Sequence, residues 1–285
     1  MPLLTMAGVL GAARANGTGV GAFNVISLEN AEAVVRGAER CGLPVVLQIS
    51  QNTVDYHGSL TPVGRACLAV AEEAAVGVVV HLDHATRPGL VDAAVRLGIA
   101  SVMFDASALG DADNRAATAD VARRCHAQGI WVEAELGAVG GKDGVHAPGV
   151  HTDPGEARDY VAATAVDALA VAVGSSHAMS TRDASLDDGL IERLAGAVDV
   201  PLVLHGSSGV PDDGLVSAVA HGMTKINIAT HLNRTMTGRV REVLSAQPGA
   251  SDPRSYLAPA REAVAAEVHR LLVLLHDGPR AGRGG

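Results

Sequence analysis

Short runs of apolar, largely β-branched residues alternate along this chain with Ala-rich stretches whose apolar positions recur at helical spacing. The runs are residues 20–25 (VGAFNV), 44–49 (PVVLQI), 77–82 (GVVVHL), 100–104 (ASVMF), 130–135 (IWVEAE), 168–173 (ALAVAV), 201–205 (PLVLH) and 225–229 (KINIA). Helices are predicted near 29–40, 61–74, 88–97, 111–128, 154–165, 187–197, 211–221 and 231–245, with one before the first strand at 3–15 and one after the last at 255–276. Strands that alternate with helices are parallel and joined by crossovers. Eight such units in 285 residues predict an α/β fold. The expected form is a single-domain (β/α)8 TIM barrel with an extra N-terminal helix and a C-terminal helical extension. The barrel is expected over 1–278, with 279–285 a disordered tail. A doubly wound open sheet is the competing architecture, but GAFNVIS after the first strand is not the GxGxxG turn that such sheets carry.

In a barrel of this kind the chemistry lies at the C-terminal ends of the strands. Nearly every predicted strand delivers a polar group there: Asn24, Ser50, Asp83 with His84, Asp105, Glu135, His177, His205, and Asn227 with Thr230. A single strand-end histidine is most often a hydrogen-bonded rim imidazole. His84, His177 and His205 together can instead supply three neutral nitrogens to one Zn2+, a common catalytic arrangement with a fourth position open. His81 lies in the body of its strand and reads as a supporting residue. The chain has two lysines, Lys142 among loop glycines and Lys225 at the start of the last strand. Neither is well placed for Schiff-base chemistry, so the electrophile is expected to be the metal.

Bulk properties remove several function classes. Six aromatic residues are too few for a stacking platform, and a net charge of −9 argues against nucleic acid as a partner. No apolar stretch approaches the ~20 residues needed to span a bilayer, so no membrane partner is expected. The three cysteines share no CxxC spacing and no signal-peptide pattern opens the chain, which together predict a cytoplasmic protein with reduced thiols. A single anion can still be held locally. HGSSG (205–209) and NIAT (227–230) follow the seventh and eighth strands, where barrels often cradle a phosphate on backbone N–H groups. Gly206 and Gly209 would let the backbone approach, and Ser207, Ser208 and Thr230 would add donors; two ordinary tight turns are the bland alternative.

HLDHAT (81–86), VEAELGAVGG (132–141), VAVGSSHAM (171–179), LVLHGSSG (202–209), KINIAT (225–230) and SDPRSYL (251–257) resemble, in order and spacing, the class II zinc-dependent ketose-bisphosphate aldolases. The resemblance implies a lyase that reversibly cleaves a fructose- or tagatose-1,6-bisphosphate into dihydroxyacetone phosphate and an aldehyde such as glyceraldehyde 3-phosphate. It implies one zinc per subunit on His84, His177 and His205, with Asp83 as the acid/base and Glu135 near an alternate, buried metal position. Gly206, Ser208, Asn227, Ala229 and Thr230 fall where the ketone-side phosphate and hydroxyls bind. Ser50 and Arg254 match positions that hold the other phosphate, the arginine coming from a neighbouring subunit of a homodimer or homotetramer. A monovalent cation, Na+ or K+, is implied near the first phosphate.

Two segments depart from the family pattern. The loop after the fifth strand usually carries an acidic pair, as in GGEED, and here reads GGKDGVHAPGVH. Asp143, His146 and His151 are left as candidates for moving the ketone-side proton, against a lid with no chemistry. After His177 a Tyr-Lys pair is replaced by MSTRD, where Arg182 could meet a phosphate or stay solvated. Both changes bear on the substrate, so a ketose monophosphate or a modified sugar phosphate stays open. So do a metal-dependent sugar-phosphate epimerase and a non-catalytic binding protein.

Overall fold

The protein's structure is a computed structural model describing residues 3–136, 151–175 and 182–281. Its strands are β1 (Val20–Asn24), β2 (Val45–Ser50), β3 (Val78–Ala85), β4 (Ser101–Phe104), β5 (Trp131–Glu135), β6 (Ala168–Val171), β7 (Leu202–Leu204) and β8 (Met223–Ile228). They pair in sequence order, all parallel, and β8 closes on β1. The helices are α1 (Met6–Asn16), α2 (Leu28–Cys41), α3 (Gln51–His57), α4 (Leu60–Glu73), α5 (Pro88–Leu97), α6 (Asp111–His126), α7 (Pro154–Thr164), α8 (Asp188–Ala197), α9 (Asp212–His221), α10 (Thr230–Ala246) and α11 (Arg254–Ala281). The predicted (β/α)8 barrel with helical additions at both ends is therefore the fold.

Parallel strands covered by crossover helices are buried on both faces, which is why they read as unbroken apolar runs. Val45, Leu47 and Ile49 on β2, like Val78, Val80 and Leu82 on β3, face the helical layer and belong to the large core between strands and helices. The opposite face fills the barrel. At its N-terminal end α1 acts as a plug, packing Met6, Val9, Leu10 and Ala13 against Val20, Ala22, Val46 and Val79. This leaves polar groups to the other end. α11 lies across α2 and α10. It approaches α2 so closely that a Cβ on Gly37 would stand 2.6 Å from the Ala265 carbonyl oxygen.

Three differences from expectation concern boundaries. β3 continues through Asp83 and His84 to Ala85 rather than stopping at Leu82. α11 runs to Ala281, so the tail expected to be disordered from 279 begins as helix, and 282–285 lie outside the described residues. Between β2 and α4 the chain forms α3, not a plain loop. Seven residues with one aliphatic side chain, Val54, are too few to show a helical period. Its signals are the ends: Ser50 accepts from Thr53 N at 3.2 Å, and Gly58 adopts φ 71°, a left-handed stop that glycine takes without strain. α3 is tied down on both sides, His57 Nε2 lying 2.7 Å from the Ile26 carbonyl oxygen and Thr86 N donating to Gln51 Oε1 at 3.0 Å. No helix among the described residues is long and apolar enough to cross a membrane.

Candidate active site

In a regular strand Asp83 and His84 would point to opposite faces. β3 avoids this with a bulge. Leu82 pairs with Val102 and Ala85 with Phe104, so β3 spends one more residue than β4 over the same span. The extra residue is taken up by His84, whose φ of 48° is left-handed and strained for a non-glycine residue. Both side chains consequently turn toward the barrel mouth, where the His84 and His205 rings stand 4.7 Å apart, edge to face. Donor atoms of Asp83, His84 and His205 all lie within 4.8 Å of one another.

Carboxylates orient both imidazoles. His84 Nδ1 is 3.0 Å from Asp105 Oδ2, while Asp105 Oδ1 accepts from Ser107 N at 3.0 Å and from the Ser107 hydroxyl at 2.6 Å. His205 is wholly buried, its Nε2 3.2 Å from Glu133 Oε1 and its Nδ1 3.3 Å from Glu135 Oε2. A histidine that gives one ring N–H to a carboxylate presents its other nitrogen in a fixed direction, as metal-binding histidines do. Burial opposes charge on His205, yet the hydrogen bonds to Glu133 and Glu135 outweigh it and push its pKa up to about 10. Burial likewise raises Asp83, but the surrounding His84, Lys225 and His205 charges prevail and hold it below the usual carboxylate range. His81, with Nδ1 2.7 Å from the Ser101 hydroxyl, is pushed down to about 3 by burial and by Lys225, and so is neutral.

This chemistry fits a divalent cation. The carboxylates of Asp83, Asp105, Glu133 and Glu135 converge here with one lysine, Lys225, paired to Glu133 at 2.7 Å. Asp83 Oδ1 is buried without a hydrogen-bond partner among the described residues. Excess negative charge and an unsatisfied carboxylate oxygen are what a metal ion would offset. His177 lies outside the described residues, as do Asp143, His146 and Thr181. His151 is described; it is exposed, and its backbone bridges to Val173, just past the C-terminal end of β6.

The rim opens into a cleft of about 660 Å3 whose walls include Asn24, Ser50, Asp83, His84, Gly206, Ser208, Asn227, Ala229 and Thr230, with no lysine or arginine among the described residues that line it. Gly206, at φ 66°, turns the chain out of β7 into a 3₁₀ turn at Ser207–Gly209. Beside it, the N-terminus of α10 follows Ala229, which supplies no capping side chain, and Ala229 and Thr230 line the cleft. Ser208 Oγ accepts from His231 N at 3.2 Å, which joins the turn to that helix.

Other candidates are placed differently. Ser207 is buried and gives its hydroxyl to the Asn227 carbonyl oxygen, so it braces the turn instead of lining the cleft. Arg182 directs its guanidinium to the Val210 carbonyl oxygen (2.7 and 3.0 Å) and to Asp212 (2.6 Å), which is itself paired with Arg270. Arg254 is 91% exposed and pairs with Asp252, away from its own chain's cleft. Residues that were not singled out also line the cleft: Ile26, Asn233, and Asn52, Thr53 and Tyr56 from the unexpected α3. Gln48, also not singled out, lies beneath it and donates to Asn24 Oδ1 at 3.1 Å, with Asp83 Oδ2 at 3.5 Å. Lys225 is not remote from the rim, because its side chain reaches into the barrel below His205.

Fold and rim together define a barrel enzyme suited to cation-assisted chemistry on a small anionic substrate. The chain belongs to the class-II fructose-bisphosphate aldolase family, whose pattern matches residues 4–278. It is 39% identical over 268 residues to the "Probable fructose-bisphosphate aldolase" of Bacillus subtilis (strain 168), covering 93% of this chain and 94% of that protein. It is 38% identical over 307 residues to the fructose-bisphosphate aldolase of Thermus caldophilus, covering 98% and 100%. Among solved structures, the YdjI aldolase of Escherichia coli K12 superposes with a TM-score of 0.85 at 30% identity, covering 96% of this chain and 97% of that one.

Proposed function

We propose that the protein is a metal-dependent aldolase that reversibly cleaves a ketose bisphosphate of the fructose-1,6- or tagatose-1,6-bisphosphate type. The products would be dihydroxyacetone phosphate and glyceraldehyde 3-phosphate. The observation that carries this reading is the bulge in β3, which sets an ionised Asp83 beside two oriented imidazoles at the floor of a cleft roomy enough for a sugar bisphosphate, about 660 Å3.

His84 and His205, with His177, would hold the ion, and an all-nitrogen set of this kind suits zinc. Glu135, 3.3 Å from His205, would serve an alternate coordination of the ion. When bound, the ion supplies a Lewis acid that draws electron density from the ketose carbonyl. Asp83 takes the proton from the C4 hydroxyl as the C3–C4 bond breaks, and returns it in the condensation direction. Gln48 would steady Asn24 and Asp83 for this, its hydrogen bonds spanning β1 to β3. Gly206, Ser208 and Thr230, with the α10 N-terminus, would receive the ketone-side phosphate on N–H and O–H donors, and Asn227 and Ala229 complete that wall.

With no lysine or arginine among the described residues that line the cleft, the charge of a bisphosphate is assigned to other groups. We assign the second phosphate to Ser50 and to Arg254 of a neighbouring copy, in a homodimer or homotetramer, and part of the first phosphate's charge to a monovalent cation. Thiols free of disulfides at Cys41, Cys67 and Cys125 support a cytoplasmic location.

The test is to incubate purified protein with fructose-1,6-bisphosphate, tagatose-1,6-bisphosphate and their monophosphates while trapping released aldehyde, with and without a chelator. Chelator-sensitive aldehyde release is expected. Isomerisation without C–C cleavage would make the protein an epimerase, and binding without turnover a non-catalytic barrel.

A further inference from the structure

Below the rim the barrel holds a second polar layer, formed by the residues two positions earlier on the same strands. Gln48 and His81 are register partners there, and Glu133 and Lys225 complete it; all four are fully buried. Two of these groups, with Asp83 from the rim above, form a donor set of their own. Ligand atoms of His81, Asp83 and Glu133 lie within 4.8 Å of one another. His81 Nε2 is 3.8 Å from Glu133 Oε2. His81 Nε2 and Asp83 Oδ1 are both buried and without a hydrogen-bond partner among the described residues. Two carboxylates and an imidazole at this spacing, with unsatisfied atoms, are a cation site. The cation is already present in the chain: the Lys225 ammonium sits 2.7 Å from Glu133 Oε2, its one hydrogen bond among the described residues.

We infer that Lys225 is a built-in cation that occupies the Glu133 corner of this deep donor set and by its charge confines a divalent ion to the rim above it. An ammonium is a compact point charge on a flexible stem, able to neutralise Glu133 while leaving Asp83 uncoordinated. A divalent ion in the same place would draw Asp83 down as a ligand, and a carboxylate bound to an ion below is no longer available as a base above. Lys225 thus has a positioning role, with no covalent one. Through Glu133 it also keeps the Nε2 side of His205 occupied, so that the other ring nitrogen serves the rim.

The inference rests on the rim being the metal's place, and equilibrium dialysis of metal-free protein against Co2+, read by metal analysis and visible absorption, separates the two claims. Wild type should take up one equivalent with one spectrum. Lys225→Met, nearly isosteric, should take up a second equivalent with a distinct, carboxylate-rich spectrum. In the double variant Lys225→Met/His81→Phe that second equivalent should vanish while the first stays. Adding His84→Asn to Lys225→Met should remove the rim equivalent and keep the deep one. A folded Lys225→Met that binds one equivalent with the wild-type spectrum overturns the inference. Wild type that binds none overturns the rim reading instead, and the deep equivalent of Lys225→Met is then still scored. If Lys225→Met does not fold metal-free, Co2+ should restore its circular dichroism with two equivalents bound; failure to do so, with Lys225→Gln behaving alike, also overturns it.

Discussion

Replacing Asp83 by Asn tests the assignment of the base, because it removes a charge and a proton acceptor at nearly constant size. The structure sets the expected size of the effect. Neighbouring positive and imidazole groups hold Asp83 ionised despite its burial, so the base is fully present at neutral pH and its whole contribution should be lost. General acid–base catalysis is worth about 10²–10⁴ in rate, or roughly 3–5 kcal/mol of barrier. Cleavage kcat should therefore fall by about 10²–10⁴, with KM for the bisphosphate little changed. Asp83 acts only on the C4 hydroxyl, so exchange of carbon-bound hydrogen between dihydroxyacetone phosphate and D2O should be spared. Metal content after gel filtration should equal that of the wild type. There is a rival role, since Asp83 also falls within ligand distance of His84 and His205. If Asp83→Asn loses its metal, or if exchange falls in parallel with cleavage, Asp83 is a ligand and the assigned chemistry is wrong.

Asp105→Asn should weaken metal affinity by about 10–100-fold, the usual cost of removing a carboxylate that orients a ligand histidine, without abolishing turnover at saturating metal; unchanged affinity by competition with a chelating dye would detach Asp105 from the site. Glu267 accepts from Arg270 at 2.7 Å and lies 2.7 Å from His231 Nε2, contacts that outweigh burial and hold its pKa at about 2. A carboxylate depressed in the folded state stabilises above its unfolded pKa and stops doing so as pH falls toward 2. Glu267→Gln should thus cost about 1.5–3 kcal/mol in urea unfolding at pH 7, with the gap narrowing below pH 4; a pH-independent gap would refute the ion-pair account. Arg254→Ala should raise KM with metal content and assembly intact, and mixing it with Asp83→Asn subunits should restore activity through sites that combine Asp83 with a partner's Arg254. No recovery after confirmed subunit exchange would place Arg254 in its own chain's function or in none.

The alternation of apolar runs was enough to read the barrel, because a sheet buried on both faces writes every strand as an apolar run. Eight strands were legible to within about three residues on this ground alone. α3 was not, since about two turns with one aliphatic residue carry no period. The fate of Arg182 was not legible either: an arginine beside a presumed phosphate site reads as an anion binder, and only the tertiary structure reveals Asp212, at the start of α9, in reach of it. Gln48, Glu133 and Lys225 were within reach of sequence reasoning. Each stands two residues before a rim residue, Ser50, Glu135 and Asn227, and a period of two places such pairs on one face.

The opposite failure of that period explains the centre of the site. Strict alternation along HLDHA would have sent Asp83 inward and His84 into the apolar layer against the helices. A buried imidazole there would have no partner, and the barrel mouth would lose a donor. The bulge resolves the conflict at the cost of a left-handed histidine, a strain of roughly 1–2 kcal/mol for an L-residue. Nothing in the five letters announces that strain, because glycine is the residue that usually marks such a position and it is absent. A histidine in that conformation persists only where the groups around it over-determine its place. Here the Asp105 carboxylate on the next strand grips its Nδ1, and Asp105 N in turn donates to the Ala85 carbonyl oxygen immediately after the bulge. The strained backbone, the gripping carboxylate and the ring pair with His205 are thus one construction, and it is this construction that lets adjacent residues of a single strand serve as base and ligand side by side.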